Sequence, residues 1–259
     1  FRMRILIPFL LSFVYVSSQF VQSNQTEPWF SPQNKKLLTR IHGILMVPAW
    51  LCFIPTAMLA ARYLKKEWKS TVGGNQLWFM VHRTLNYAGF FLLSLSTFLV
   101  FLSREFSWKG PSPFKPLHKN ISLGSIHTLF GMLSFIGAIY QVFAAYTRPS
   151  PGSPGRYKFT KRHRFIGNLS FIISWIAFMI AAYKFSYFYS NLHASILTVL
   201  MAVVYAATIF GFEGYGSVRN GDDESRESRE RSEYGKKLFL SFSVFSTILS
   251  IVLFIYLIV

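Results

Sequence analysis

The chain has 259 residues, of which 52% are hydrophobic and only 14% are charged, yet its formal net charge is +17. Apolar residues come in blocks of about twenty, the length that a helix needs to cross about 30 Å of hydrocarbon. The basic residues stand in short segments between these blocks and form no long basic patch, which argues against a nucleic-acid-binding protein. The composition therefore predicts an integral membrane protein.

The amino-terminal stretch has the pattern of a secretory signal. A short basic start precedes an apolar run from Ile5 to Val16, and small and polar residues continue through Ser23. This run is short for a spanning helix and suits a cleaved signal better. We expect residues 1–23 to be a signal peptide, with an uncleaved leading helix as the alternative, and residues 24–40 to be a short extracytoplasmic segment.

Six apolar blocks follow, and each predicts a membrane-spanning helix, because lipid cannot satisfy the open edges of a sheet. The expected fold class is an all-α integral membrane protein, a bundle of six transmembrane helices. Four spans build a core over residues 41–187, and residues 188–259 add two helices joined by a charged loop at 213–237. Within that loop, acidic residues interleaved with arginines and almost free of apolar side chains indicate disorder. The predicted spans are 41–62, 77–101, 122–146, 165–187, 192–212 and 238–259.

The distribution of lysine and arginine predicts the orientation, because short loops that are rich in them stay in the cytoplasm. The richer set of loops is 62–76, 147–164 and 213–237, and the poorer set is 24–40, 102–122 and 188–191. Two glycosylation sequons, at Asn24 and Asn120, fall in the poorer set, which we assign to the outside. We therefore expect a multi-pass glycoprotein of the secretory pathway, in the plasma membrane or in endomembrane vesicles.

Four histidines stand near the ends of the first four spans and alternate between the two membrane faces. With this orientation His42 and His127 enter from outside, whereas His82 and His163 enter from the cytoplasm. Polar residues at membrane depth are costly and usually have a partner in the bundle, so two pairs matched in depth call for an explanation. A haem iron held by two imidazoles would explain each pair. It would leave no open position at the metal, so outer-sphere electron transfer is the chemistry expected.

Small residues follow each histidine on the same helix, where they could let a porphyrin lie against the backbone. The glycines Gly131 and Gly167 come four residues after His127 and His163. Gly89 and Ala49 come two turns after the other two histidines.

The residues also resemble a known family, the cytochrome b561 core of ferric-chelate reductases and DOMON-linked proteins. The resemblance covers about residues 40–187, although residues 24–40 are too short to hold a DOMON domain. It rests on an ordered set of motifs: His42-Gly-Ile-Leu-Met46, Ala49-Trp50, Ala61-Arg-Tyr-Leu-Lys65, Trp78-Phe-Met-Val-His-Arg83, His127-x-x-x-Gly131, Tyr140-Gln141, Arg148-Pro149 and His163-Arg-x-x-Gly167.

This resemblance implies a membrane-bound, ascorbate-dependent oxidoreductase of the ferric reductase type. It would carry electrons from cytoplasmic ascorbate through two b haems to an outside acceptor, either ferric iron or monodehydroascorbate. His42 and His127 would hold the outer iron, and His82 and His163 the cytoplasmic iron. The partners expected are these small molecules and membrane lipid, with a homodimer possible.

Some basic and histidine residues are candidates for contact with substrate. Lys65, Lys69 and Arg148 lie beside cytoplasmic span ends, where positive charge would attract anionic ascorbate. The positive-inside rule alone is the competing explanation for them. Outside, His118 precedes His127 by nine residues and is a candidate on the acceptor side, or else an exposed loop histidine.

Two other classes of function remain open on the sequence alone. A proton relay or transporter could use intramembrane histidines as titrating groups, although such relays usually add intramembrane carboxylates. A non-redox membrane scaffold is the third possibility, and it leaves the four matched histidines without a physical reason.

Overall fold

Six long helices dominate the computed structural model, which describes residues 28–65, 68, 70–184, 191–217 and 224–258. All six are long and apolar enough to cross a membrane, so the predicted fold class, an all-α bundle of six transmembrane helices, is confirmed. A short helix precedes the third span. The helices are α1 (Pro32–Tyr63), α2 (Leu77–Ser103), α3 (Leu117–Asn120), α4 (Leu123–Tyr146), α5 (Arg156–Lys184), α6 (Asn191–Ser217) and α7 (Glu224–Ile258).

Helix α1 begins at Pro32, nine residues before the predicted start of the first span, so much of the expected extracytoplasmic segment is helical. The reason is local capping. The Ser31 hydroxyl accepts a hydrogen bond from the backbone N–H of Asn34 (3.3 Å), and Pro32 has the fixed φ that suits a first helical position. The predicted signal peptide and the Asn24 sequon lie outside the described residues.

Helices α5 and α7 also extend beyond their apolar parts. Helix α5 starts at Arg156 rather than at residue 165, which places His163 two turns inside the helix. Helix α7 starts at Glu224, so the disorder expected for the charged loop is wrong from that residue onward. Acidic and basic residues recur there at spacings of three and four, a pattern that stabilises a helix although hydropathy cannot detect it.

The first helix contains a π-helical turn at Ala49–Phe53. Prolines at positions 48 and 55 flank it, and each lacks the N–H that a regular α-helical hydrogen bond needs. Ala49, Trp50, Leu51 and Cys52 are all buried at this turn. Such turns are rare and frequently mark functional sites.

Helices α1 and α2 form one packed pair and α4 and α5 form another. A Cβ at Gly137 on α4 would collide with the Ser170 side chain on α5, so these two helices touch at backbone distance. A Cβ at Gly89 on α2 would lie 3.2 Å from Cγ1 of Ile54 on α1, so α1 and α2 are also closely packed. The four predicted histidines lie on these four helices.

Helices α6 and α7 cover the other side of α1 and share its larger apolar cluster, which includes Val47, Leu51, Met201 and Phe242. Polar contacts hold α6 and α7 against α1 at both ends of the bundle. The Arg40 guanidinium donates to the carbonyls of Leu257 (2.8 Å) and Ile258 (2.6 Å), where a cation suits a helix carboxyl end. At the opposite end, Glu213 accepts from Arg62 (2.8 Å) and from the Tyr63 hydroxyl (2.7 Å).

A small hairpin connects α1 to α2. Strand β1 (Thr71–Val72) pairs antiparallel with β2 (Asn75–Gln76), and the two glycines between them, Gly73 and Gly74, have positive φ. Two successive positive φ values are what a tight two-residue hairpin turn requires, and glycine adopts them without strain.

Candidate cofactor sites

The outer pair of predicted histidines lines one cavity. His42 on α1 and His127 on α4 both face a cavity of about 390 Å³ between the two helix pairs. Small and aromatic residues complete its walls, including Gly43, Trp50, Ser125, Gly131, Phe135 and Ala177. Arg104 and Lys109, which follow α2, line the cavity and are also exposed, so they mark its mouth.

Hydrogen bonds orient both outer imidazoles. Nδ1 of His42 lies 3.1 Å from the Ser96 carbonyl oxygen, and the Ser96 hydroxyl lies 2.9 Å from the same nitrogen and 2.9 Å from the His42 carbonyl oxygen. Nδ1 of His127 lies 2.9 Å from the Ala177 carbonyl oxygen. Since a carbonyl can only accept, each Nδ1 carries the proton, and a metal bond would use Nε2.

His82 on α2 and His163 on α5, the pair predicted to lie on the cytoplasmic side and called the cytoplasmic pair below, are close to each other. Their ring centroids are 6.3 Å apart and their planes meet at 69°. Nδ1 of His82 donates to the Ala57 carbonyl (2.9 Å), and the Asn86 amide donates to the His82 carbonyl (2.6 Å). Nδ1 of His163 is buried and has no hydrogen-bond partner within the described part of the chain.

The small residues that follow the histidines do not share one role. Gly131 lines the outer cavity, and a Cβ there would meet no atom within 4 Å, so a flat group could approach its backbone. Gly167 instead faces the Gln141 side chain, whose amide donates to the His163 carbonyl (3.0 Å). Gly89 packs on Ile54, and Ala49 is buried in the bundle. The expectation that a porphyrin could lie against the backbone is therefore wrong for these two residues.

Arg148 is the predicted cytoplasmic substrate residue that lies nearest to the histidine pair. It is close enough to act electrostatically on both imidazoles, and its guanidinium stacks 4.7 Å from the Phe79 ring centroid. Burial, with the nearby Arg156 charge, lowers the pKa of Arg148. Lys65 is exposed, with its ammonium 5.5 Å from the Trp78 ring, and Lys69 lies outside the described residues.

On the outer side the structure places different residues at the cavity from those expected. His118 is exposed on α3 and is not among the residues that line the cavity. Arg104, Trp108 and Lys109 line the mouth instead. Burial, with the positive charge of Arg104 nearby, lowers the pKa of Lys109. The position of these residues directly after a span end was the available signal for them in the sequence.

The outer loop is held by a carboxylate and by an asparagine. Glu105 accepts from the Lys35 ammonium (2.7 Å) and from the backbone N–H of Trp29 (3.0 Å), and the Lys35 contact holds the pKa of Glu105 below its usual range. The Asn120 amide donates to the carbonyls of Ser112 (2.9 Å) and Lys115 (3.1 Å). A glycan on Asn120 would leave its amide nitrogen one hydrogen, so at least one of these two bonds would be lost.

Comparison with known proteins identifies the family. The model of eukaryotic cytochrome b561 matches residues 41–189, more than half of the chain. This chain belongs to the eukaryotic cytochrome b561 family. Membership implies a membrane cytochrome that binds haem b and transfers electrons.

Relatives of the chain include ferric-chelate reductase 1 of Bos taurus, which is 30% identical over 138 residues, or 53% of this chain and 21% of the bovine protein. The human ferric-chelate reductase 1 is 28% identical over 139 residues, 53% of this chain and 21% of that protein. A cytochrome b561, DM13 and DOMON domain-containing protein of Arabidopsis thaliana is 26% identical over 151 residues, 56% of this chain and 14% of its own length. The chain thus spans about a fifth or less of these relatives' lengths. No solved structure matches it significantly.

The residues present fit haem b. The outer cavity is walled by apolar and small side chains and receives two imidazoles whose Nδ1 protons are already used by carbonyls. At the cytoplasmic end, a centroid separation of 6.3 Å accommodates one metal ion with a bond of about 2 Å to each imidazole. Both ends therefore offer two histidines from opposite helix pairs, as a flat cofactor between those pairs requires.

Proposed function

We propose that this chain carries electrons from cytoplasmic ascorbate through two b haems to an acceptor on the other side of a secretory-pathway membrane. The acceptor would be ferric iron in a chelate or monodehydroascorbate, and the chain would act as an oxidoreductase. The observation that carries this proposal is the occurrence of two partly buried histidine pairs in one four-helix core, one pair toward each end of that core.

In this proposal His42 and His127 ligate the outer haem, and His82 and His163 ligate the cytoplasmic haem. Bound haem supplies an iron centre that accepts and releases single electrons. With two imidazoles holding each iron, substrate would meet the haem edge and not the metal. The carbonyls of Ser96, Ala177 and Ala57 hold their imidazoles in the tautomer that presents Nε2.

On the cytoplasmic side, Arg148 is the best candidate for binding ascorbate. It is partly buried between the histidine pair and Phe79, so its charge is less screened by water than that of Lys65. Lys65 and Lys69 would add to the positive potential that attracts the anion. A charge-assisted hydrogen bond from the guanidinium would also orient the ascorbate enolate toward the haem edge.

On the outer side, Arg104 and Lys109 would attract an anionic acceptor to the mouth of the cavity. Both line it, together with the Trp108 ring, which offers a flat surface at the same opening. A ferric chelate with carboxylate ligands matches this charge, and relatives bear the name ferric-chelate reductase. His118, which does not line the cavity, is a second candidate on this side.

The proposal is tested with purified protein in sealed vesicles that contain ascorbate, with ferric citrate outside. Reduced-minus-oxidised spectra should give two b haems per chain, and iron reduction should need ascorbate on the side of residues 62–76. The matched control is the His42→Ala, His127→Ala double variant. It should retain one haem that ascorbate reduces, yet pass no electrons to iron outside. A wild-type protein without haem, or full iron reduction by the double variant, would refute the proposal.

A further inference from the structure

Each of the four histidines is followed by an aromatic residue eight positions later in its helix. Eight residues advance about 12 Å along a helix axis, which moves each aromatic ring from near a membrane surface toward the middle of the bilayer. Because two helices run inward from each surface, rings from opposite faces arrive at similar depth. The four matches are His42 with Trp50, His82 with Phe90, His127 with Phe135, and His163 with Phe171.

In the structure these four rings form two pairs. Trp50 and Phe171 have centroids 6.5 Å apart with planes at 40°. Phe90 and Phe135 have centroids 6.3 Å apart and are nearly parallel, at 12°. In both pairs, one ring belongs to a helix that bears an outer histidine and the other to a helix that bears a cytoplasmic histidine. Each pair therefore links the two proposed haem sites across the centre of the membrane.

One member of each pair reaches the outer cavity. Trp50 and Phe135 both line it, whereas Phe171 and Phe90 do not and lie on the cytoplasmic-histidine helices. The π-helical turn of α1 contains Trp50, which is 4% exposed, and Phe171 is also 4% exposed. Residues next to the pairs differ, since Phe91 is 67% exposed and has the exposure of a lipid-facing side chain. Phe171 also contacts the rings of Trp175 (6.0 Å) and Tyr205 (5.1 Å), so it lies within a larger aromatic cluster.

We propose that the Trp50–Phe171 and Phe90–Phe135 pairs are the medium through which an electron tunnels between the two haems. This inference rests on the proposed function. In the step, one electron leaves the reduced cytoplasmic haem and the outer haem gains it, while the rings are neither oxidised nor reduced and no bond forms or breaks. Tunnelling decays more steeply across gaps than through packed matter, and the two ring pairs, one tilted and one stacked, fill space between the two helix pairs.

The variants Phe171→Leu and Phe90→Leu remove one ring from each pair without touching the outer cavity lining. Phe91→Leu is the matched control, because it alters a neighbouring phenylalanine on the lipid side of the same helix. Haem content and the two midpoint potentials are measured first for every protein. The rate of electron equilibration between the haems is then followed after rapid photoreduction, in detergent, with neither ascorbate nor iron present.

We expect equilibration to slow severalfold in each Leu variant and further in the double variant, with both haems and both potentials retained. Phe91→Leu should equilibrate at the wild-type rate, and Phe90→Tyr, which keeps the ring, should do so as well. If the double Leu variant keeps its full haem content and equilibrates at the wild-type rate, the proposed tunnelling role of the ring pairs is wrong. The proposed function would still stand. A wild-type protein that binds fewer than two haems would instead refute the proposed function.

Discussion

The two histidine pairs differ in how firmly hydrogen bonds within the protein orient their imidazole rings. Both outer imidazoles donate Nδ1–H to backbone carbonyls, those of Ser96 and Ala177. In the cytoplasmic pair only His82 makes such a bond, whereas buried Nδ1 of His163 has no hydrogen-bond partner within the described residues. The ring of His163 is held by stacking on Phe159, with centroids 5.4 Å apart.

This difference predicts that the outer pair is more firmly oriented for metal binding than the cytoplasmic pair. A second-shell hydrogen bond fixes the tautomer and the ring plane of a ligand, so its loss weakens metal binding. The segments around the two pairs also differ in the contacts that hold them. The outer loop is tied by Glu105 and Asn120, while the cytoplasmic rim is made of cations on aromatic rings, such as Arg148 on Phe79.

The largest effect is expected from removing a ligand on either side. His42→Ala and His82→Ala should each abolish about half of the haem absorbance, because each iron then loses one of its two imidazoles. The reduced-minus-oxidised spectrum measures this, and His118→Ala serves as the control with unchanged haem. If His118→Ala loses haem while His127→Ala retains it, the outer ligand assignment is wrong.

Second-shell substitutions should reveal the asymmetry itself. Ser96→Ala removes the hydroxyl that contacts both Nδ1 and the carbonyl of His42, and we expect about tenfold weaker binding of the outer haem only. Ser94→Ala is the control, since its hydroxyl bonds within its own helix to Phe90. Haem titration of the apoprotein, with the two sites resolved spectrally, gives the affinities. Equal weakening by both variants would contradict a specific role for Ser96.

The next largest effect is expected on the affinity for ascorbate at the cytoplasmic face. Arg148→Ala should raise the KM for ascorbate about tenfold, since a hydrogen bond to a charged group is worth about 1.5 kcal/mol. Lys158→Ala, an exposed charge on the same face, should leave the KM nearly unchanged. Steady-state reduction of the cytoplasmic haem by ascorbate measures both.

Lys109→Ala should affect only the outer face. A charge at the rim of a cavity contributes less than about 1 kcal/mol, so the KM for ferric citrate should rise by up to about fivefold. The effect should shrink in high salt, which screens such attraction. A changed KM for ascorbate in the Lys109 variant would mean that the two faces are not independent.

The smallest effect should come from acidifying the outer loop. Because Lys35 lowers the pKa of Glu105, the stabilisation is complete above the ordinary carboxyl pKa of about 4.3 and is lost as pH falls through the lowered value. Proteolysis within residues 104–122 should accelerate below about pH 4. Glu105→Gln should be cleaved at a rate that does not depend on pH, and a pH-dependent rate in that variant would exclude Glu105 as the cause.

Much of the bundle follows from the sequence because lipid permits few alternatives. Apolar blocks of spanning length must become helices, and the alternation of successive helices decides that His42 and His127 share one end and His82 and His163 the other. The structure places them in those pairs, and their role as haem ligands stays a prediction. Helix ends were harder, since capping at Ser31 and the charged first turns of α5 carry no hydropathy signal.

The residues around the sites could not be predicted for a different reason. Whether Arg104, Lys109 or His118 reaches the outer cavity depends on the path of an irregular loop, which includes positive φ at Glu105 and Phe106. Gly131 and Gly167 follow their histidines at the same spacing, yet only Gly131 faces open space, because the partner helix decides what each one meets.

The π-helical turn of α1 has a consequence for sequence variation. It lets one helix pack on the α6–α7 layer through Leu51 while it turns Trp50 toward the smaller apolar cluster. The N–H of Ile54 bonds to the carbonyl of Ala49 across this turn, so deleting one residue between them would make that bond an ordinary α-helical one. The residues beyond the turn would keep their orientation, and Arg62 and Tyr63 would stay within reach of Glu213. Relatives should therefore tolerate a one-residue gap at this turn better than elsewhere in α1, and the exposed hairpin at residues 71–76 should accept insertions.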